Sequence, residues 1–494
     1  MKKLVTLLLA GGMILSAADS ASAVDVKVSG EWLASFTFVD NLFGRDALNK
    51  HRDARDGSRG TFNAAQRVRI NFDLAASEYL SGRVQLQATA GDNANYYYWG
   101  QNGVGGPGNE VTARLAYLDW LIPSTDVQVR MGRQVVSTPS YTFGSPVLDD
   151  VSDGIMVSIP FSEMTGLTVG WLRPAADLNK WGVEHHAHNS VDLAYLAVDV
   201  VSEGFRVTPW GMIGLHGNGD GVKAPGSLDM MGYGAADEAR TTVYWAGIGG
   251  ELALFDPFTI TGDFIYSGND ANGDAERRGW YAALGAEMKA DAVTPFLKGW
   301  YASGDDADSR KSGRMLSVDN AGAFDASGIY FDGNDLLGAT IDNCNPAGTW
   351  GVQLGVKDVS FVEDLTHALS VSYFQGTNNT NRITNGDRRA MMGDLANPAT
   401  YMTTSDSAWE VDFLSSYKLY QNLTANLLLA YLVTDFDKDV WGSDYDNGFR
   451  GTVNFTYAFE GMSLMKCSAS AGQGETETAT PDSRNSLAAA PAEA

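Results

Sequence analysis

From residue 24 onward, apolar and polar positions alternate in segments of about ten residues, the period of half-buried β-strands. In the segment from Val24, Val26, Val28, Trp32, Ala34, Phe36 and Phe38 alternate with Asp25, Lys27, Ser29, Glu31, Ser35 and Thr37. In "QRVRINFDL", Val68, Ile70, Phe72 and Leu74 alternate with Arg67, Arg69, Asn71 and Asp73. The stretch "GFRGTVNFTYAF" keeps Phe449, Val453, Phe455, Tyr457 and Phe459 on one parity and Arg450, Thr452, Asn454 and Thr456 on the other. The alternation predicts strands over 24–39, 66–77, 80–91, 112–122, 125–136, 153–160, 165–174, 191–202 and 205–216. It predicts a second set over 241–254, 258–268, 278–290, 293–303, 349–361, 365–376, 407–419, 423–435 and 447–459. No amphipathic helix competes with them.

The connections alternate as strictly as the side chains. Short ones such as "PST", "SEG" and "FDP" are followed each time by a long one: 41–65, 92–111, 137–152, 175–190, 217–240, 269–277, 304–348, 377–406 and 436–446. A meander crossing a membrane, with short turns on one side and long loops on the other, has this rhythm. A strand-only chain satisfies all its backbone groups in lipid only as a closed barrel. The expected fold is therefore an all-β transmembrane antiparallel barrel of about 18 strands, 16 being the alternative, with lipid outside and water inside. Trp120, Trp171, Trp210, Tyr301, Trp350, Phe361, Trp409 and Tyr417 near strand ends suit interfacial aromatic girdles. Around 191–198 and 428–432 both faces are apolar, which suggests contacts between subunits.

Composition narrows the class. The first residues, "MKKLVTLLLAGGMILSAADSASA", run from charged to apolar to small, the order of a secretory signal peptide over 1–23. The barrel then spans 24–459, and 460–494, rich in Ala, Ser, Thr, Glu and Gly, is expected to be a disordered low-complexity tail. A net charge of -25 excludes a basic nucleic-acid footprint. Cys344 and Cys467 are too few for a disulfide framework, and the topology would put them on opposite sides of the membrane.

The segments "VKVSGEWLASF", "RVRINFDLAASEYLSGRVQLQ", "ARLAYLDW", "VQVRMGRQ" and the closing "FRGTVNFTYAF" resemble the outer-membrane homotrimeric porin family of sulfate-reducing bacteria. The resemblance covers 1–459 and implies a homotrimer of water-filled barrels that pass small hydrophilic solutes and ions by diffusion. It implies no enzymatic activity. It also implies partners in outer-membrane lipid, lipopolysaccharide and the outer-membrane assembly machinery, which would read Phe459 as its closing aromatic signal. In that family the signal ends the chain, whereas here Glu460 to Ala494 follow it.

The chemistry of a pore is electrostatic filtering at its narrowest point. The third long loop, "STPSYTFGSPVLDDVSDG", is expected to fold into the lumen and to bring Asp149, Asp150 and Asp153 there. Arg67, Arg69, Arg83 and Arg130 share the polar parity of the facing strands, and Arg114 is placed with them. Acid on the loop against base on the wall would set a transverse field across a pore constriction. Arg133 falls on the lipid parity, and Asp119 on the parity opposite to Arg114, which leaves the registers there open. In the second long loop Tyr96, Tyr97, Tyr98 and Trp99 form an aromatic cluster suited to contact a neighbouring subunit.

Metal sites are weakly signalled. Asp270, Asn272, Asp274 and Glu276 in "NDANGDAE" are spaced like the start of a calcium loop, so Ca2+ at an acidic rim is the one cofactor considered. Glu184, His185, His186 and His188 could hold a metal, though exposed loop histidines are more often inert. Two further functions stay open. One is a substrate-specific channel for a sugar or an organic acid; a sugar channel would need a lumen-facing aromatic slide. The other is a soluble or surface-attached β-rich binding protein.

Overall fold

A computed structural model describes residues 24–40, 61–89, 97–100, 103–104, 110–176, 190–216, 241–270, 276–307, 311–318, 323–332, 345–385, 398, 400–442 and 445–460. The signal and tail segments lie outside the described residues, as do Cys344, Cys467 and the Glu184–His188 group.

The strands are β1 (Asp25–Asp40), β2 (Thr61–Ser77), β3 (Leu80–Thr89), the two-residue β4 (Tyr97–Tyr98), β5 (Glu110–Leu121), β6 (Gln128–Ser137) and β7 (Asp149–Ser162). They continue with β8 (Thr165–Ala176), β9 (Ser190–Ser202), β10 (Phe205–His216), β11 (Thr241–Phe255), β12 (Phe258–Asn269) and β13 (Arg278–Met288). The last are β14 (Thr294–Ala302), β15 (Thr349–Val362), β16 (Leu365–Gly376), β17 (Ser407–Tyr420), β18 (Leu423–Asp435) and β19 (Gly448–Glu460). Two four-residue helices, α1 (Asn381–Thr384) and α2 (Lys438–Trp441), sit in the loops. Apart from β4, these are the eighteen strands that the alternation predicts. Each long strand pairs antiparallel with its neighbours, and β1 closes the barrel on β19, with Trp32 opposite Tyr457 and Gly30 opposite Phe459. A closed antiparallel barrel leaves no edge to satisfy.

The outer surface is apolar and bounded by two aromatic rings. At the long-loop end Phe38, Tyr244, Tyr266, Trp280, Tyr301, Trp350, Tyr373, Trp409, Tyr431 and Phe449 point outward from β11 round to β1. Many of these rings touch: Trp280 and Tyr301 stack at 4.8 Å, and Tyr373 lies 4.7 Å from Trp409 and 5.6 Å from Trp350. Eight residues along the same strands stand Phe258, Tyr417 and Tyr457, below Tyr266, Trp409 and Phe449. Eight residues rise ~26 Å along a strand, or about 20 Å along the membrane normal at a tilt of 35–45°. That is the height of a hydrocarbon band, so the chain spans a membrane as a barrel. At the turn end Phe459 lies over Gly30, where an added Cβ would come within 2.5 Å of the Phe459 ring.

The interior departs from the simple expectation of water inside. Toward the short turns the inward side chains are polar, but toward the long loops the lumen holds an apolar core. Phe143, Val147, Leu148, Leu316, Phe324, Ile329 and Phe331 from the loops pack there against Leu172, Leu193, Trp210, Trp245, Trp300 and Phe374 from the wall. This explains the strands with two apolar faces. Val191, Leu193, Tyr195 and Ala197, and likewise Leu428, Ala430 and Leu432, point inward and are buried. Their inner faces cover inserted loops, so subunit contacts are not needed to account for them.

Candidate functional site

Four adjacent strands present the arginines. On β2, β3, β5 and β6 the inward parity carries Arg67 and Arg69, Arg83, Arg114, and Arg130. A β-bulge resolves the conflict between Arg114 and Asp119. The β3–β5 register jumps between Gln85/Leu115 and Leu86/Ala113, which leaves Arg114 as the extra residue. One inserted residue reverses the parity of everything beyond it, so both Arg114 and Asp119 face the lumen.

Most of these guanidinium groups have an acid beside them. Arg67 bonds Glu31 at 3.1 Å, Arg83 bonds Asp73 at 2.6 Å, and Arg130 bonds Asp119 at 2.7 Å while lying 4.2 Å above the Tyr117 ring. Arg69 donates to Gln87 at 2.7 Å, and Arg114 donates to Gln85 at 3.0 Å and approaches Asp150 to 3.9 Å. The side chains of Arg83, Arg114 and Arg130 keep 32%, 18% and 35% of their surface open. They form a wet polar wall of nearly balanced charge. Arg67, only 1% exposed, is enclosed near Leu33, Ala65 and Tyr98.

The loop after β6 folds inward, as expected, but it is shorter than the sequence suggests. It ends at Leu148, and Asp149, Asp150 and Asp153 belong to β7. Asp150 meets the arginine wall. Asp149, opposite Ser137, and Asp153, opposite Arg133, fall on the other parity. Asp153 points outward and is ion-paired to Arg133 at 3.3 Å, so it does not reach the constriction. Alternation alone separates these residues once the strand is known to start at 149.

Wall residues that the sequence reading missed clamp the loop of 138–148. Asp263 on β12 accepts from the backbone amides of Tyr141 (2.8 Å) and Thr142 (2.9 Å). Lys298 on β14 donates to the Thr142 carbonyl at 2.8 Å, and Tyr141 Oη bonds Thr208 on β10 at 2.6 Å. Phe143 then packs 5.3 Å from Trp300 and 5.2 Å from Phe324.

A second inserted segment, 323–332, was not anticipated. Its Asp325 amide donates to the Phe143 carbonyl at 2.8 Å, which ties the two loops together. They meet backbone to backbone at Gly144, whose φ of +85° and distance of 1.9 Å from a would-be Cβ to the Ala323 carbonyl exclude any side chain. The barrel wall holds this segment through its backbone. Glu410 accepts from the amides of Ile329 (2.5 Å) and Tyr330 (3.1 Å), and Asp412 from that of Gly328 (3.2 Å). Gln353 and Ser372 donate to the Ala326 carbonyl at 2.9 and 2.8 Å. Arg450 donates to the Gly328 carbonyl at 2.7 Å and forms a buried ion pair with Asp332. The approach to this segment is fixed at the mouth by Glu276, which bridges Lys311 (2.5 Å) and Arg278 (3.2 Å). Lys311 beside it holds the Glu276 carboxyl below its ordinary range. Polar residues on β12, β15, β17 and β19 are unremarkable as lumen residues in sequence; only their partners give them a role.

The remaining candidates lie elsewhere. Tyr97 and Tyr98 pair with Gln66 and Ala65, and the Trp99 amide donates to the Ala64 carbonyl at 2.8 Å. That part of the second loop therefore lies on its own barrel. Tyr98 packs inward, and Trp99 sits 5.3 Å from Phe36 and is half exposed. Tyr96 lies outside the described residues. The Asp270 carboxylate accepts from the Thr242 amide at 2.7 Å, while Asn272 and Asp274 lie outside the described residues. Among the described residues no group of metal-ligating side chains converges.

No protein-family model matches the sequence, and no curated protein matches it. Its fold does match solved structures. Pseudomonas aeruginosa OccK2 (OpdF) superposes with a TM-score of 0.52 at 11% identity, covering 88% of this chain and 98% of that one. P. aeruginosa OccD3 (OpdP) gives 0.51 at 11%, over 88% and 91%, and P. aeruginosa OprD gives 0.50 at 12%, over 88% and 95%. At such identity the likeness concerns architecture alone: the chain has the fold of an outer-membrane β-barrel with inserted loops.

Proposed function

We propose that the chain is an outer-membrane porin, assembled as a homotrimer, through which small hydrophilic solutes and ions diffuse passively. The observation that carries this reading is the wet wall of Arg69, Arg83, Arg114 and Arg130 with Asp73, Asp119 and Asp150. It faces the lumen, while two inserted loops pack against other strands of the wall toward the long-loop end. Fixed charges of both signs on a low-dielectric wall orient polar solutes. Balanced pairs bind none of them tightly enough to stop passage. No bond needs to be broken.

The two clamped loops favour a second reading, a substrate-specific channel for a sugar or an organic acid, because rigid clamps narrow the path. Most aromatic rings of the lumen are buried in the loop core, and part-buried ones such as Tyr117, Tyr141 and Phe296 lie on separate elements (β5, the 138–148 loop and β14) rather than in one line, which weighs against a sugar. Purified protein in planar bilayers should give ohmic channels that appear in coupled steps of three. Liposome swelling with a graded series of neutral solutes should then follow size. Uptake of one solute class far above its size trend would favour the specific channel, and a failure to permeabilise liposomes at all would refute both.

A further inference from the structure

The aromatic ring at the long-loop end is incomplete. Among the described residues it runs from β11 round to β2, where Phe62 stands opposite Phe38, but on β3 and β5–β10, seven of the eighteen long strands, Trp171 of β8 is the one aromatic that faces out at that end. At the same height this arc carries a row of charges on its outer surface. Asp153 stands eight residues above Phe161 on β7, where β12, β17 and β19 bear Tyr266, Trp409 and Phe449. Arg133 on β6 pairs with Asp153 at 3.3 Å, and the register sets Asp153 opposite Arg173 on β8. Arg173 forks onto Asp192 of β9 at 2.8 and 3.0 Å, and Asp192 also accepts from Ser190 at 2.6 Å and from Trp171 Nε1 at 3.0 Å. The one aromatic of this arc at that height is thus absorbed into the row.

A lipid interface favours aromatic side chains at this level and gains nothing from a neutral row of alternating charges. Two arginines and two aspartates that satisfy one another leave no net positive charge to draw a phosphate headgroup. They do suit coverage by protein, because a surface closing over them buries no unpaired ion. Below the row and Trp171 the arc is mainly aliphatic, with Ile155 and Val157 on β7 and Leu196 and Val198 on β9, until Trp120, Phe161 and Phe205 near the turns. Seven strands at ~4.8 Å and a band about 20 Å high make roughly 700 Å² per subunit. That approaches the ~800 Å² per partner of stable protein interfaces. We infer that the outer wall of β3 and β5–β10, centred on the Arg133–Asp153–Arg173–Asp192 row, is the face that each copy presses against the other copies of this chain. The inference rests on the homotrimer proposed above and names its contact wall.

The test uses the full chain in a Cys344→Ser, Cys467→Ser background, with one spin-labelled cysteine either on this arc (Ile155→Cys, with Leu196→Cys as a second site) or on the aromatic side (Phe264→Cys). Native mass and pulsed dipolar distances are measured on the same samples. The expected result is a trimeric mass with inter-subunit distances from 155 and 196 well below those from 264. Asp153→Ala with Asp192→Ala should lower the trimer fraction severalfold while leaving the heat-modifiable barrel intact. A trimeric mass with 264 giving the shorter distance overturns this face and leaves the trimer standing. A monomeric mass with no dipolar signal at any site overturns the trimer and this face together. A monomer that retains a phosphorylated glycolipid, lost on an Arg133→Ala/Arg173→Ala change, makes the row a lipid headgroup site and overturns the inference.

Discussion

Lys298 reaches into the lumen from β14 and donates to the backbone carbonyl of Thr142 at 2.8 Å, while Asp263, two strands away on β12, accepts from the amide of the same residue at 2.9 Å. One loop residue is thus held at both of its backbone polar groups by opposite charges on the wall. Such hydrogen bonds to charged groups contribute about 1.5–3 kcal/mol each, against ~1 kcal/mol for neutral ones. The position of the 138–148 loop is therefore set by the barrel rather than by the loop's own sequence.

Replacing Asp263 by Ala should free the amides of Tyr141 and Thr142 and loosen that loop. Single-channel conductance is expected to rise and become noisier, with the barrel still heat-modifiable. An unchanged conductance would mean that the loop does not limit the path.

Arg450→Met should be severely destabilising. It leaves Asp332 buried without its cation, a change that costs about 3–5 kcal/mol. The double change Arg450→Met with Asp332→Asn should recover much of the loss. Unfolding in urea from lipid vesicles measures both, and equal losses in the single and double variants would contradict the pairing.

Ion selectivity should depend on Asp150 and not on Asp153. Asp150 lies near Arg114 in the lumen, whereas Asp153 is outside with Arg133. Changing Asp150 to Asn should shift the reversal potential in a salt gradient toward anions, most clearly in dilute salt, where the Debye length exceeds ~10 Å. The same change at Asp153 should leave it alone. Equal shifts at both would place the wall wrongly.

Acid should loosen the mouth. The Glu276 carboxyl, lowered by Lys311, is ionised in the folded protein at a pH where an unfolded Glu, near 4.3, is already protonated. Its contribution is therefore present above that value and is lost as pH falls through the lower folded value. Hydrogen exchange around 311–318 should quicken below about pH 4. Glu276→Gln should show the quickened exchange already at pH 6 and lose the acid dependence. Exchange that stays pH-independent, after correction for its intrinsic rate, would argue against this pin.

The barrel could be read from the chain because its rule is local. Each strand has a period of two, and one face must meet lipid, so "FRGTVNFTYAF" declares its outward Phe455 and inward Asn454 without reference to any other segment. The strict succession of short and long connections then orders the strands, and the same logic places Phe459 at the turn end, though only closure of the barrel sets it over Gly30. Alternation also set Arg133 outward and Arg69 inward. It could not show that Arg114 is an extra residue in its strand, because a bulge changes parity without any signature in composition. Nor could it show that Val191 and Leu432 face a core rather than a neighbour, since an apolar inner face looks the same whatever covers it. Asp263, Lys298, Glu410 and Arg450 were ordinary lumen residues until Thr142, Ile329, Tyr330 and Gly328 came within hydrogen-bond reach. Local sequence thus determined the wall and its two sides. The inserted loops, the clamps that hold them and the charge row on β6–β9 were decided by contacts between residues far apart in the chain, which only closure of the barrel brings together.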